Sequence, residues 1–420
     1  MSRLRQTASF LGLRKSIVGL LAMVVLVDMG ERTAERFLPI YLIALGGGAL
    51  SVGVLNGVQN LLNALYSFPG GYLSDRIGIK RALLVFNLTA IAGFAIVVFI
   101  PAWQAVIVGA VFFLAWSAIS LPAAMSLIAK ALPQRKRTMG VSMHSLVRRI
   151  PMAVGPLIGG TFIGIWGERD GVRYAFVVAI ALAIIGIVLQ EALIADEHGG
   201  GGSRKALADL EANPLRVLSG MSRSLRSLLV ADILVRFCEQ IPYAFVVLWA
   251  MKVIAHPVSA FQFGVLTAIE MATAVLVYVP VAYFADRSTK KPFVVMTFVF
   301  FTLFPVVLLF CHTFATLALA FVLRGMKEFG EPTRKALIVD LAPEGRQAAT
   351  FGAYYLARDL IVSVAAFGGA FLWEVSPTVN FLAAFAFGAA GTVWFAVKGM
   401  DLPSGREPVT AGLRQAPGVE

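Results

Sequence analysis

The chain has 420 residues, of which 58% are hydrophobic and 14% are charged, and its mean hydropathy is +0.81. Because soluble domains carry about 25% charged residues, this composition excludes a soluble globular protein. The net charge of +12 does not indicate nucleic-acid binding, since the basic residues gather in loops that would all lie on one side of a membrane.

The hydrophobic pattern predicts an all-α integral membrane protein. Apolar stretches of about 20 residues, long enough to cross a bilayer as a helix, recur over almost the whole chain. The ten-residue alternation of a membrane barrel is absent. The pattern predicts twelve spans, at approximately residues 16–46, 51–74, 80–100, 103–132, 138–166, 173–195, 226–254, 258–286, 291–310, 313–341, 347–374 and 378–399.

A glycine-rich linker divides these spans into two sets of six. The run His198–Ser203 breaks the hydrophobic pattern and is followed by a basic stretch that ends at Arg226, and glycine runs form flexible linkers. The predicted domains are an N-terminal six-helix bundle (1–195), a cytoplasmic linker (196–225), a C-terminal six-helix bundle (226–399) and a cytoplasmic tail (400–420).

The basic residues predict the orientation in the membrane. With twelve spans, all of their clusters fall on one side, which is the cytoplasmic side by the positive-inside rule. We therefore expect a multi-pass protein of the cell (inner) membrane with both termini in the cytoplasm. The first apolar run is too long for the core of a cleaved signal peptide. The clusters are Arg3–Lys15, Arg76–Arg81, Arg135–Arg137, Arg204–Arg226 and Arg287–Lys291.

The two halves repeat one sequence pattern. The charged turn Gly71–Arg81 is matched by Ala282–Lys291, and each lies between two apolar runs. Gly53–Leu55 is matched by Gly264–Leu266 in the same order along the chain. Since six spans return the chain to its starting side, the halves are expected to be related by a pseudo-two-fold axis along the membrane normal. The functional site is expected between them.

Charged side chains follow one face of spans one, seven and ten, at steps of three and four residues. A charge in the membrane costs at least ~2.5–3.5 kcal/mol unless it is paired or hydrated, so these side chains are expected to face one another across a water-filled cavity. The alternative is that they form salt bridges that only hold helices together. The residues of this predicted substrate and proton cavity are Asp28, Glu31, Arg32, Glu35, Arg36, Arg236, Glu239, Arg324, Lys327, Glu328 and Glu331.

Other charges are not among these predicted cavity residues. Arg148 and Arg149 of span five are expected opposite Arg358 and Asp359 of span eleven. Asp232 belongs to the charged face of span seven but, like Lys335, is expected near the cytoplasmic surface, where a charge is less informative about function.

The turn after span two resembles the signature of the major facilitator superfamily of secondary transporters, with Ile79 where that family has an arginine. The resemblance covers the whole membrane region. It implies two six-helix bundles with spans one, four, seven and ten around a cavity, and a cytoplasmic gate in which Asp75 caps the N-terminus of span eleven. The alternative is that the basic residues only set topology. The predicted gating and signature residues are Gly71, Asp75, Arg76, Gly78, Lys80, Arg81, Asp286 and Arg287.

Span five holds a second element, formed by Gly155, Pro156, Gly159 and Gly160. It is similar to a motif of the proton-antiporter branches of that superfamily; the alternative is an ordinary face for close helix packing. The uncharged stretch Gly109–Ala123 of span four lacks the arginine that many antiporters carry there, which weakens the antiporter interpretation.

Span one offers a different comparison. Glu35, Arg36 and Phe37 are similar to an element of proton-coupled peptide transporters, although Arg32 stands where that element has its leading glutamate.

These observations favour an alternating-access secondary transporter for a small polar or charged solute, driven by protons, with antiport or efflux preferred. The alternative is a proton-coupled symporter that takes up a metabolite or a peptide-like solute. A non-transporting sensor would need a larger output domain than the tail after Asp401. An enzyme is not expected, because no nucleophile–base pair is visible. The acids expected to exchange protons are Glu31, Glu35 and Glu239.

The expected partners are the small-molecule solute, protons and the lipid bilayer, and a monomer is expected. The four histidines are scattered; Cys238 falls in a predicted span and Cys311 lies at the end of another, so we expect neither a metal site nor a disulfide framework. No cofactor is expected.

Overall fold

The computed structural model describes residues 15–114, 116, 120, 124, 127, 147–194, 214–285, 289–343 and 347–400. Within this part only the backbone is described for residues 15–17, 66–76, 214–216, 278–280, 282–285 and 347–349. The regular structure of these residues is helical, and it contains no strand.

The helices are α1 (Lys15–Glu35), α2 (Leu38–Ala44), α3 (Ala49–Ile77), α4 (Ile79–Phe99), α5 (Trp103–Phe113), α6 (Arg149–Leu193), α7 (Pro214–Ser219), α8 (Arg223–Gln240), α9 (Val246–Leu248), α10 (Ala260–Ala285), α11 (Lys291–Leu309), α12 (Phe314–Gly325), α13 (Glu331–Asp340), α14 (Gln347–Val375) and α15 (Pro377–Lys398). Two 3₁₀ turns lie at Tyr243–Phe245 and Met326–Glu328, and one π-helical turn at Trp249–Val253.

The helix ends agree with most of the predicted span boundaries to within a few residues. Seven described helices are long and apolar enough to cross a membrane, and Trp103–Phe113 is a shorter apolar helix. Helix α6 holds both span five and span six, which meet at Gly167, where a φ of 79° suits a residue without a Cβ. Much of span four and the start of span five lie outside the described residues, so the count of twelve stays a prediction.

Spans one, seven and ten are not the continuous helices that the sequence predicts. Span one breaks after Glu35, span seven after Gln240 and span ten after Gly325. A proline lies at or just after each break, at Pro39, Pro242 and Pro332; Pro39 and Pro332 sit in the first turn of the helix that follows. Proline lacks the N–H that a continuous helix needs and clashes with the preceding turn. The apolar pattern runs on through the breaks and therefore hides them.

The two halves touch along two helix pairs. Helix α3 packs on α14, and α6 packs on α10. A Cβ at Gly53 of α3 would lie 2.4 Å from the Ala370 side chain, and one at Gly264 of α10 would lie 2.5 Å from the Pro156 carbonyl. Gly53 and Gly264 are the matched glycines of the internal repeat, so equivalent positions make equivalent contacts. This agrees with a two-fold relation between the halves.

These contacts lie toward the end of the molecule that carries the short loops around Gly48 and Gly167. Toward the other end, described residues of both halves line a large cavity. Its lining reaches Lys335, which is exposed and lies on α13, toward the predicted basic-loop side. The cavity is therefore closed at the short-loop end.

Candidate functional site

A large cavity lies between the halves and has a volume of about 690 Å³. Both halves contribute polar and charged side chains to it, including the amides of Asn56, Gln59 and Asn60 from α3. The charged residues that line it are Arg32, Arg36, Arg148, Arg149, Arg236, Glu239, Glu270, Lys327, Glu328 and Lys335.

In the C-terminal half, ten charged residues form one continuous chain of ion pairs in which acids and bases alternate. We call this the charge chain. It joins spans seven, eight, ten and eleven, and each member lies within ion-pair distance of the next. In order, its members are Arg324, Glu270, Lys327, Glu239, Arg236, Glu331, Arg334, Asp232, Arg358 and Asp359.

The charge chain begins beside the cavity. Glu270 Oε1 lies 3.2 Å from Arg324 Nε and 3.2 Å from Lys327 Nζ. Glu239 accepts from Lys327 at 3.0 Å and from Arg236 at 2.6 Å. Both acids are therefore held between two cations.

The charge chain ends among buried groups. Asp232, whose side chain is 1% exposed, contacts Arg334 and lies 3.4 Å from Arg358. The hydroxyl of Tyr354 donates to the same carboxylate at 3.0 Å. This end links helices α8, α13 and α14.

The N-terminal half holds a shorter cluster. Asp28 lies 3.5 Å from both Arg32 and Arg148. Glu35 accepts from Arg32 through Oε2 and from Gln59 through Oε1, the latter at 2.8 Å. Each of these acids therefore has a polar partner.

Two charged residues of span one remain outside these clusters. Glu31 is 2% exposed, and its Oε2 has no hydrogen-bond partner among the described residues. Arg36 is half-buried, and its guanidinium lies 5.3 Å from the ring centroid of Tyr243 in the other half. Within the described part of the chain, neither side chain forms an ion pair.

Polar contacts also join the two halves across the cavity. Arg149 of span five forms an ion pair of 3.2 Å with Glu328 of span ten. Asn60 of span two donates to the Gln240 side chain at 3.1 Å, and Asn56 donates to the Gln240 carbonyl at 3.1 Å. These contacts must change if the halves move relative to each other.

All of the predicted cavity residues lie around this space. Six of them line the large cavity: Arg32, Arg36, Arg236, Glu239, Lys327 and Glu328. Glu35 and Arg324 line a smaller pocket at the closed end. Asp28, Glu31 and Glu331 are buried behind the lining.

The span-five motif lies where three spans meet. A Cβ at Gly155 would lie 2.7 Å from the Arg32 side chain, and one at Gly159 would lie 1.9 Å from the Thr33 carbonyl. A Cβ at Gly160 would lie 2.4 Å from the Ala260 carbonyl of span eight. The motif therefore holds span five against span one, beside the cavity charges, and against the other half.

Only part of the signature turn lies within the described residues. Gly78 separates α3 from α4 with a φ of 90°, which suits glycine. Lys80 forms an ion pair of 3.1 Å with Glu191 at the end of span six, and Arg81 is exposed on α4. Gly71 lies in the backbone of α3. The side chains of Asp75, Arg76, Asp286 and Arg287 lie outside the described residues, so their gating role stays a prediction.

Two expectations about charge placement are wrong. Asp232 is not near the surface, because α8 turns it inward between Arg334 and Arg358. Arg148 and Arg149 do not contact Arg358 and Asp359. They pair instead with Asp28 and Glu328 of spans one and ten, because span eleven directs its charges into its own half.

Sequence reasoning missed Arg334. This side chain is 1% exposed and joins Glu331 to Asp232 within the charge chain. The available signal was its position three residues after Glu331, which places the two side chains on one helix face.

Comparisons with known proteins agree with this architecture. A family model described as Major Facilitator Superfamily matches residues 20–254 and 228–417, and the chain belongs to that superfamily. It is similar to the uncharacterized MFS-type transporter YqjV of Bacillus subtilis (strain 168), with 29% identity over 165 residues. That match spans 38% of each chain.

Solved structures share the fold. A crystal structure of the peptide transporter POT in complex with sulfate has a TM-score of 0.73 at 15% identity, over 92% of this chain and 94% of that one. A crystal structure of the nucleoside transporter NupG has a TM-score of 0.76 at 11% identity, over 91% and 99%. At such identities the likeness concerns the fold. The protein is thus an MFS-type membrane transporter with two bundles around a central cavity.

Proposed function

We propose that the protein is a proton-coupled secondary transporter that moves a small charged solute across the cell membrane by alternating access. The observation that carries this proposal is the charged cavity of about 690 Å³ between the two halves. It is closed at one end by the packing of α3 on α14 and of α6 on α10. A cavity that is open at one end only is what alternating access requires of each end state.

The proposal includes an orientation. The positive-inside rule assigns the predicted basic loops, and hence the open end of the cavity and both termini, to the cytoplasm. The present arrangement is then the inward-facing state. The domain boundaries and a monomeric transporter are part of the same proposal.

Among the three acids expected to exchange protons, the contacts favour Glu31. Glu35 and Glu239 are each bonded to a cation, and Glu239 to two. Glu31 is buried with no ion-pair partner among the described residues. Burying a lone carboxylate costs far more than burying a neutral carboxyl, so protonation of Glu31 is favourable. Because Glu31 has no ion pair among the described residues, the change leaves no described cation unpaired.

Antiport is the direction that we prefer. The support is the span-five motif, whose Gly155 and Gly159 pack on Arg32 and Thr33, immediately after Glu31. A movement of span five would therefore reach the proposed proton site directly. Proton-coupled uptake is the alternative, and it uses the same cavity and the same acid.

The experiment begins with a thermal-shift screen of the purified protein against small solutes, followed by flux measurements in proteoliposomes with an imposed pH gradient. We expect gradient-driven flux of a stabilising solute, in the direction opposite to the protons for antiport and with them for symport. In Glu31→Gln, gradient-driven flux should fall at least about tenfold while solute exchange without a gradient persists.

The control is Glu168→Gln, which removes an acid at the closed end where Glu168 contacts Lys252. It should behave as the unmodified protein does. Flux that ignores the pH gradient in the unmodified protein would contradict proton coupling. Full gradient-driven flux in Glu31→Gln would contradict the assignment of the proton to Glu31.

A further inference from the structure

Among the described residues around the cavity, the ion pairs leave Arg36 without a carboxylate partner. In the charge chain, five cations alternate with five acids. Arg32 and Arg148 share Asp28, and Arg149 is paired with Glu328. Arg36 has no ion pair among the described residues, and it faces the cavity.

The position of Arg36 is central. It lines both the large cavity and the smaller pocket at the closed end, together with Asn56, Gln59 and Tyr243. Its guanidinium and that of Arg324 lie 5.3 Å and 5.6 Å from the Tyr243 ring centroid. The Tyr243 hydroxyl makes no hydrogen bond within the described part of the chain. The bottom of the cavity therefore offers two unoccupied donors, one from each half.

The acids nearest to Arg36 are bonded to other groups. Glu35 also lines the closed-end pocket, but its two oxygens are occupied by Arg32 and Gln59. Glu270 is shared between Arg324 and Lys327. The guanidinium of an arginine can donate two parallel hydrogen bonds to the two oxygens of a carboxylate. A carboxylate of the ligand would therefore form an ion pair with Arg36.

The surroundings suggest the rest of the ligand. Beyond Arg36, the closed-end pocket is lined by Leu55, Val247 and Phe263, which are apolar and come from both halves. The closed-end pocket measures only about 30 Å³, so the apolar body of a ligand with its charged group on Arg36 would lie in the large cavity, beside Met152, Pro156 and Met271, where removal from water is favourable.

We propose that Arg36 and the Tyr243 hydroxyl form the anion subsite of the cavity, and that the transported solute is a small organic acid with an apolar body. This inference rests on the proposed function, because it names the substrate class of the same cavity. Because Arg36 belongs to one half and Tyr243 to the other, an anion bound to both would also favour movement of the two halves toward each other.

The test uses matched pairs of a carboxylate and its amide, such as benzoate with benzamide and pentanoate with pentanamide, at constant ionic strength. Binding to the purified full-length protein is measured by thermal shift and by tryptophan fluorescence. We expect stabilisation by the carboxylates and not by the amides. In Arg36→Gln, the half-saturating carboxylate concentration should rise roughly tenfold to a hundredfold, with a smaller rise in Arg36→Lys.

The control is Arg169→Gln, which removes one exposed positive charge on α6, outside the residues that line the cavity. Carboxylate binding should change there by less than about threefold, because exposed charges are screened. Without ligand, Arg36→Gln should melt no lower than the unmodified protein, since it removes an unpaired charge.

Three results would overturn the assignment. The first is equal stabilisation by a carboxylate and its amide, and the second is no stabilisation by any carboxylate of the set. The third is a ligand-free melting temperature of Arg36→Gln several degrees below that of the unmodified protein, which would show that Arg36 stabilises the fold. Failure of the proposed function would look different. If carboxylates bound in an Arg36-dependent way but no flux occurred in proteoliposomes, the anion subsite would be supported and the transport function would not.

Discussion

At the scale of single residues, acidic side chains of the same type differ in their ion-pair partners. Glu239 is bonded to Arg236 and Lys327, whereas Glu31 has no such partner among the described residues. Glu31 is buried, whereas Glu239 is half-buried and lines the cavity. The sequence places both on charged stripes, but the partners depend on how each helix is rotated about its axis, which one sequence does not determine.

Asp232 provides the residue-scale prediction. It is bonded to Arg334, lies 3.4 Å from Arg358 and accepts from Tyr354. Asp232→Asn leaves two buried arginines without this charge, and breaking a buried ion pair costs roughly 3–5 kcal/mol. We expect a marked fall in the melting temperature of the purified protein and in its expression, measured by fluorescence-detected size exclusion.

The matched control is Asp340→Asn on the same half, where the side chain is 41% exposed and pairs with Lys290. Surface pairs contribute about 0–1 kcal/mol, so the melting temperature should barely change. Equal melting temperatures for the two variants would show that the buried end of the charge chain does not support the fold.

At the scale of helices, the sequence predicts well where a helix occurs but poorly whether that helix is continuous. The ends of α3, α4, α11 and α15 lie within a few residues of the predicted boundaries, because long apolar runs with glycine or proline at their ends are unambiguous. The breaks in spans one, seven and ten were not predicted. They matter for the site, since Glu35, Gln240 and Lys327 lie at these breaks.

Span five carries the prediction at this scale. A Cβ at Gly159 would lie 1.9 Å from the Thr33 carbonyl, so Gly159→Ala must push span five away from span one. Forcing atoms into a packed contact costs typically about 1–3 kcal/mol. We expect a lower melting temperature and reduced flux in proteoliposomes.

Gly164→Ala is the control on the same helix, because a Cβ there meets nothing within 4 Å. Alanine favours a helix over glycine by about 1 kcal/mol, so this variant should be as stable as the unmodified protein or slightly more so. If both variants behaved alike, close packing of the motif on span one would not be needed for function.

At the scale of the whole molecule, the internal repeat is the strongest sequence signal. It matched Gly53 with Gly264, and both lie in contacts between the halves. The packing repeats as well: Gly159 meets the carbonyl of Thr33, and Gly369 meets that of Ile241. Thr33 follows Glu31 by two positions, and Ile241 follows Glu239 by two positions. The repeat therefore predicted the fold, while the pairing of the charges required the three-dimensional arrangement.

The final prediction concerns the direction in which the cavity opens. Asn63 lines the cavity and is exposed, whereas Gly48 lies in an exposed loop at the closed end. The native Cys238 and Cys311 are buried, so single cysteines can be introduced beside them with little background. With the cytoplasm at the open end, a membrane-impermeant maleimide should label Gly48→Cys in intact cells and Asn63→Cys in inside-out vesicles.

Alternating access adds a second expectation for the same variants. When a transported solute or a pH gradient shifts the halves toward the other end state, labelling of Asn63→Cys from the cytoplasmic side should slow, because the contact between Arg149 and Glu328 lies where the halves would close. Labelling of Gly48→Cys should stay constant and so serves as the control. If Asn63→Cys were labelled from outside intact cells without solute, the proposed orientation would be wrong. If its labelling rate never changed with solute, alternating access would be contradicted.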